Sequence, residues 1–292
     1  MFALATVALP RGQSVAALRV DGQYWPLPAA GLGANAMDLF ADWGGSFAAL
    51  EKLVSKAKKG GIQEKKAKLL TPLRYPRKLF CVGANYADHL EEMNAGHLAK
   101  KVPGAPPFFF MKPPSTTLVG PGKTVRIPPG CDNFDWEVEF VVVFGRGGRN
   151  IAEKRAMQYV AGYSVGIDFT ARDLFFREDS FFRFNFVLGK CQDTMSPVGP
   201  TVVPKQFLDG TKARFNLSVN NSLKQSGCTA DMIYSLPEQI AGVSRAVSIE
   251  PGDMMFTGSP AGVGLPRGEK LKPGDEVRIE ADIIGSMEIV IQ

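Results

Sequence analysis

The chain has 292 residues, 45% of them hydrophobic and 22% charged, with a net charge of +5 and many turn formers (31 glycines and 21 prolines). That is enough apolar mass for one large domain or two unequal ones, and it suits a β-dominated globular protein rather than a helical bundle or a disordered chain. The lysines form no stripe interleaved with aromatics, which argues against a nucleic-acid surface while leaving small anionic partners open.

From the start, Phe2 to Leu9, residues 15–20 and residues 22–27 read as short strands separated by turns at Pro10-Arg-Gly-Gln and Asp21-Gly22. The opening Met1–Leu9 stretch has no positive region before it and no small-residue cleavage site after it, so it is taken as a strand and not a leader. A helical pattern over 36–58 follows, loosened at Gly44-Gly45. The lysine-rich stretch 56–68 reads as solvated surface, with an anion or membrane patch as the alternative. Residues 69–76, with two prolines, read as a linker that closes a small N-terminal domain at residue 75. The four cysteines, Cys81, Cys131, Cys191 and Cys228, form no C-x-x-C pair, which implies reduced thiols in a cytoplasmic protein. No apolar run approaches the roughly twenty residues of a membrane span.

The larger domain, 76–292, begins with a strand at 78–83 and a helix-compatible stretch at 84–94 carrying His89. Prolines and glycines make 103–129 extended and turn-rich. Strands are expected at 136–144, 159–167, 214–219, 253–257, 275–280 and 283–291, with helices at 152–158 and 236–247. Strands dominate without regular strand–helix alternation, so the fold class is α+β and a doubly wound parallel sheet is not expected.

Within the first of those strands, Glu137 and Glu139 stand two apart and so share a face, while Asp168 ends the next. Unpaired and buried, such carboxylates would cost several kcal/mol each. A hard divalent cation would compensate; a solvent-facing strand would need none. His89 and Glu92, three apart, share one face of a helix, close enough for the carboxylate to orient the imidazole or simply to form a surface ion pair. Gly162-Tyr-Ser164-Val-Gly166 matches the nucleophile-elbow pattern, but both histidines, His89 and His97, lie upstream of it. A serine–acid–histidine order is therefore unavailable, and Ser164 is read as a strand residue.

Together these pieces resemble the fumarylacetoacetate hydrolase family, specifically its acylpyruvate-hydrolase-like branch. The motifs are Val82-Gly-Ala-Asn85-Tyr86-Ala-Asp88-His89, Lys112-Pro-Pro-Ser, Trp136-Glu137-Val-Glu139 and Asp168-Phe-Thr-Ala-Arg-Asp173. Gly189-Lys190 ahead of Pro197-Val-Gly-Pro200, then Thr257-Gly-Ser-Pro-Ala-Gly-Val-Gly264, complete the order over roughly residues 76–292. The resemblance implies a mixed β-sheet roll, a homodimer, and Mg²⁺ or Mn²⁺ held by Glu137, Glu139 and Asp168. It also implies a lid bearing a catalytic pair, which falls on His89 and Glu92. Departures are Phe175 where relatives carry glutamine, Cys191 where they carry serine, and a phenylalanine-packed 175–186 segment. That segment is expected to be an apolar wall for an acyl group, or core or dimer packing.

The chemistry these groups suit is hydrolysis of a carbon–carbon bond in a 2,4-dioxo acid, a small anionic keto acid. His89, oriented by Glu92, would activate water, and Lys190 would stabilise developing charge. Thr257, Gly258 and the loop after them would hold the substrate carboxylate. Arg172 is read either as a substrate contact or as an ion-pair partner of Asp173 or the acidic strand. Oxaloacetate decarboxylation, isomerisation or hydration of dienol acids, and a non-catalytic metabolite-binding role are the alternatives.

Overall fold

The computed structural model describes every residue except 31, 33, 34, 55–60, 103 and 180. Val138–Phe144 is buried along its whole length, because it runs between two neighbours in the middle of the main sheet. A strand covered on all sides needs a near-continuous apolar run, which Val-Glu-Phe-Val-Val-Val-Phe supplies at every position but one. Val160–Ile167 pairs antiparallel with it on one side and Met254–Phe256 on the other. Beyond Met254–Phe256 the sheet continues with Leu79–Val82, in parallel, and then Phe109–Lys112. In the opposite direction Ser196–Pro204 follows Val160–Ile167, and the N-terminal strands Ala3–Ala8, Ser14–Val20 and Gln23–Pro26 extend the same sheet. Twelve strands take part among the described residues.

A second, five-stranded sheet contains Arg214–Val219, Ser222–Cys228, Glu276–Ala281 and Gly285–Ile291. Its inner face shares one core with the main sheet, where Phe140 stacks on Phe215 with ring centres 6.3 Å apart. The architecture is thus β-dominated with mixed sheets. No helix of the described residues is long and apolar enough to cross a membrane.

Two expectations change in detail. The 36–58 pattern becomes a 3-10 turn at Ala36–Phe40 and a helix at Trp43–Val54, with residues 55–58 outside the described residues. The break falls before the two glycines. Asp42 accepts the Gly45 N–H at 3.2 Å, and a Cβ on Gly45 would meet that carboxylate at 2.4 Å, so the glycine lets the capping side chain fold over the first turn. The 69–76 stretch is packed rather than free: Leu69–Leu70 pairs with the first strand, Leu73 is fully buried, and Thr6 donates to the Pro72 carbonyl. Of the lysine-rich stretch, Lys65, Lys66 and Lys68 are exposed, while Lys56, Lys58 and Lys59 lie outside the described residues.

Ser196–Pro204, Ser222–Cys228 and Phe109–Lys112 are strands that the sequence pattern did not signal. The first carries three prolines, which lack the N–H a ladder needs and so mask a strand in the sequence. All four cysteines are free.

Candidate metal centre

The antiparallel pairing that sets Val138 opposite Ile167 also fixes the residues just beyond each strand end. The Asp168 N–H donates to the Glu137 carbonyl at 2.8 Å, so Glu137 and Asp168 face each other across the ladder. Glu139 follows on the same face. One carboxylate oxygen from each of Glu137, Glu139 and Asp168 lies within 4.8 Å of the others, and all three residues are buried. The solvent-facing alternative is thereby removed.

Three cations surround them. Lys190, at the end of the short Phe186–Lys190 helix, contacts the Glu137 carboxylate and reaches Asp168 at 2.7 Å. Lys112, closing the Phe109–Lys112 strand, donates to Asp168 at 2.6 Å and to the Met195 carbonyl at 2.9 Å. Arg172 pairs with Glu137 and Asp135, each at 2.8 Å, and not with Asp173, which instead accepts from the Asp132 N–H and the Cys131 thiol. Arg172 therefore braces the acidic strand from behind.

The two glutamates respond in opposite directions. Burial pushes Glu137 up, but the charges of Lys190, Arg172 and His89 outweigh it and hold the carboxyl below the ordinary range. Glu139 is pushed well above that range by burial and then by Asp168 and Glu137, against the weaker pull of Lys190 and the Gly258 amide. No ion-pair partner stands beside Glu139 among the described residues; its donor is the Gly258 N–H at 2.6 Å. With Asp135 included, four buried carboxylates face three cations.

One loop collects much of the remaining geometry. The Thr257 hydroxyl donates to the Phe140 carbonyl at 2.8 Å, and Gly258 (φ 99°) turns its amide onto Glu139. A Cβ at Gly258 would sit 2.6 Å from that of Asn85, so only glycine allows this approach. Further on, the Gly262 amide donates to Glu92 at 2.8 Å, and the Gly264 and Leu265 amides donate to Asp135 at 2.7 and 3.1 Å. Gln225, buried, accepts from the Val138 N–H and donates to Ser259 and Pro260, which ties the loop to the acidic strand.

His89 sits on the short Ala87–Glu92 helix with its Nδ1 2.7 Å from Glu92 Oε1. The same carboxyl group accepts the Gly262 amide through Oε2, which leaves Oε1 to orient the imidazole. An imidazole that gives its Nδ1 hydrogen to such a partner keeps Nε2 as its basic nitrogen. His97 is exposed, and Ser164 is buried in mid-strand opposite Val141.

Lys112, Asp135 and Gln225 were not singled out from sequence as site residues. The Lys112-Pro-Pro-Ser motif was a signal for the first; the other two gave none, since their partners are scattered along the chain.

The model of the fumarylacetoacetate hydrolase C-terminal domain matches residues 78–292. The chain belongs to the fumarylacetoacetate hydrolase family. A mitochondrial oxaloacetate tautomerase of Rattus norvegicus is 39% identical over 219 residues, 74% of this chain; the match spans 66% of that relative's length. Among solved family structures, fumarylacetoacetate hydrolase from Exiguobacterium antarcticum is 26% identical, with a TM-score of 0.78 over 100% of this chain and 99% of its own. Fumarylpyruvate hydrolase from Pseudomonas aeruginosa, solved with Mn²⁺ and pyruvate, is 31% identical, with a TM-score of 0.65 over 76% of this chain and 90% of its own.

Proposed function

We propose that this chain is a metal-dependent hydrolase of 2,4-dioxo acids, cleaving the bond between C3 and C4 to give pyruvate and a carboxylic acid. The observation that supports it most is the His89–Glu92 pair, part-buried and pinned by the Gly262 amide, with the imidazole near enough to act on the charge of Glu137 in the carboxylate cluster. The donor set fits a hard divalent cation, Mg²⁺ or Mn²⁺: all oxygen, buried, and with Glu139 lacking any ion-pair partner among the described residues. Glu137, Glu139 and Asp168 would hold it. Such an ion supplies Lewis acidity toward the oxygens of a 2-oxo acid.

The chain's own residues do the rest. Nε2 of His89 takes a proton from water, whose oxygen then bonds to C4. As the C3–C4 bond breaks, its electron pair leaves with the pyruvate fragment as an enolate, and C3 receives a proton. Glu92 keeps the imidazole in one tautomer and stabilises its charged form. Lys190, already among the carboxylates, places a fixed positive charge where oxyanion character develops. Thr257 and Gly258 hold the loop whose amides face the site.

The oxaloacetate tautomerase relative favours a second reading, in which the same histidine moves a proton between the enol oxygen and C3. The two separate in one ultraviolet assay. Acylpyruvates and freshly dissolved enol-oxaloacetate are followed with Mn²⁺ and with EDTA. Hydrolysis predicts EDTA-sensitive loss of acylpyruvate absorbance with pyruvate formed. Enol decay accelerated without any acylpyruvate cleavage would replace it with tautomerisation.

A pH dependence follows from Glu139. Its proton is held to a pH above the ordinary carboxylate range, and a divalent ion must displace it. Mn²⁺ affinity is therefore expected to rise with pH through that window, with about one proton released per ion. Titration calorimetry in two buffers of different ionisation enthalpy reads the proton. Affinity that stays flat between about pH 5 and 8 would show that Glu139 is not displaced from its acid form.

A further inference from the structure

The expected apolar wall is not where the sequence placed its most prominent residues. Phe181 and Phe182 meet edge to face, 94% and 70% exposed. An aromatic surface beside the Lys190 ammonium is built by Phe110, Phe186 and Phe108. Phe110 lies with its ring centre 5.7 Å from Lys190 Nζ, the atom that contacts Glu137 and Asp168. Ring centres of Phe110 and Phe186 are 5.1 Å apart, Phe108 and Phe186 5.8 Å, and Phe108 and Phe110 6.3 Å. The three rings form a closed triangle.

Its relation to the charged centre comes from two periodicities. Along the extended 108–112 stretch, Phe108, Phe110 and Lys112 are two apart and share a face. On the Phe186–Lys190 helix, Phe186 and Lys190 are four apart and share a face. In both elements the inner member is a buried lysine on Asp168 and the outer members are phenylalanines. Burial declines outward in the same order, from Lys112 at 2% exposed, through half-buried Phe110, to Phe108 at 56%. Two independent elements thus step from amine to aromatic ring in the same direction. The Phe186 side is held in place from beneath, where Phe175 lies so close to Gly189 that a Cβ there would stand 2.4 Å from it.

From this we infer that the site takes 2-oxo acids whose far end is an uncharged apolar group, alkyl or aryl, seated on Phe108, Phe110 and Phe186. The inference rests on the proposed keto-acid site for the head of the substrate and adds the class of its tail. A carboxylate at the tail would be stripped of water against three rings that offer it no hydrogen bond. An alkyl or aryl tail loses nothing by the same contact and covers the partly exposed Phe108.

The test separates tail recognition from turnover. Binding of pyruvate, 2-oxohexanoate, phenylpyruvate and 2-oxoglutarate to the Mn²⁺-loaded enzyme is measured by calorimetry. Turnover of acetylpyruvate, benzoylpyruvate and a carboxylate-tipped dioxo acid is measured in parallel. The expected result is affinity and kcat/KM higher by roughly tenfold to a hundredfold for the apolar tails over the carboxylate-tipped ones. Phe186→Leu should shrink the aryl advantage severalfold while leaving pyruvate binding unchanged. Phe108→Arg, at the exposed outer position, should raise the affinity of 2-oxoglutarate. Equal or tighter binding of 2-oxoglutarate by the unaltered enzyme would overturn the inference, as would a Phe186→Leu variant with the full aryl preference. If the apolar tails bind best but no dioxo acid is cleaved, the hydrolase reading fails and the tail assignment stands.

Discussion

Asp168→Asn is expected to remove measurable Mn²⁺ binding and to lower turnover by about a hundredfold or more. Asp168 does more than present an oxygen to a cation. It is the carboxylate partner of two buried ammonium groups, Lys112 at 2.6 Å and Lys190 at 2.7 Å. Lys190 keeps Glu137 when Asp168 is neutralised, but Lys112, whose side chain is 0% exposed, keeps only neutral acceptors, the Met195 carbonyl and the amide oxygen of the new side chain. Removing one partner of such a buried pair costs about 3–5 kcal/mol. The variant should therefore melt at a clearly lower temperature as well as fail to bind metal. Adding Lys112→Met to Asp168→Asn removes the stranded ammonium and should recover much of the melting temperature without recovering Mn²⁺ binding. If the double variant regained Mn²⁺ affinity, Asp168 would not be a ligand.

His89→Ala is expected to behave in the opposite way. The imidazole touches Glu92, and Glu92 is held independently by the Gly262 amide, so little of the fold depends on the ring. Mn²⁺ affinity and melting temperature should stay close to those of the unaltered protein. Turnover should fall by about 10²–10⁴, the usual contribution of a positioned general base. Hydrolysis that survives this substitution undiminished would assign water activation elsewhere. Read together, the two variants separate holding the ion from moving the proton.

The acidic strand was legible because its signal is local. Two glutamates at the strand period share a face whatever surrounds them, and Asp168 ends the neighbouring strand, so a single antiparallel pairing brings all three together. His89 and Glu92 were legible for the same reason, three positions apart on one turn. What was hidden depends on distant chain segments. Asp135 looks like any acidic residue until Gly264, Leu265 and Arg172 arrive around it. Arg172 was ambiguous because its neighbour Asp173 is a plausible partner by sequence, yet the short helix at Arg172–Phe175 sends the two side chains to different partners. The prolines of Ser196–Pro204 concealed a strand at the centre of the sheet, and with it the continuity between the first strands and the rest. The phenylalanines of 175–186 were visible as a composition, but which of them packs beside Phe110 and Lys190 was decided by the Phe108–Lys112 stretch, far away in sequence.

The 257–265 loop addresses three carboxylates of different purpose, Glu139, Glu92 and Asp135, and does so through backbone amides. Three of the four donors are glycines, Gly258, Gly262 and Gly264, where a Cβ would stand 2.6 Å from that of Asn85, 2.1 Å from the Lys224 carbonyl and 2.5 Å from the Glu269 carbonyl, so the register of these three groups leaves those positions no room for a side chain. The aromatic triangle is under no such constraint, since each of its rings is a side chain that a smaller one can replace without a clash. Substrate tail and reacting centre can consequently drift at different rates, and descendants of this chain could change what they accept while keeping how they act.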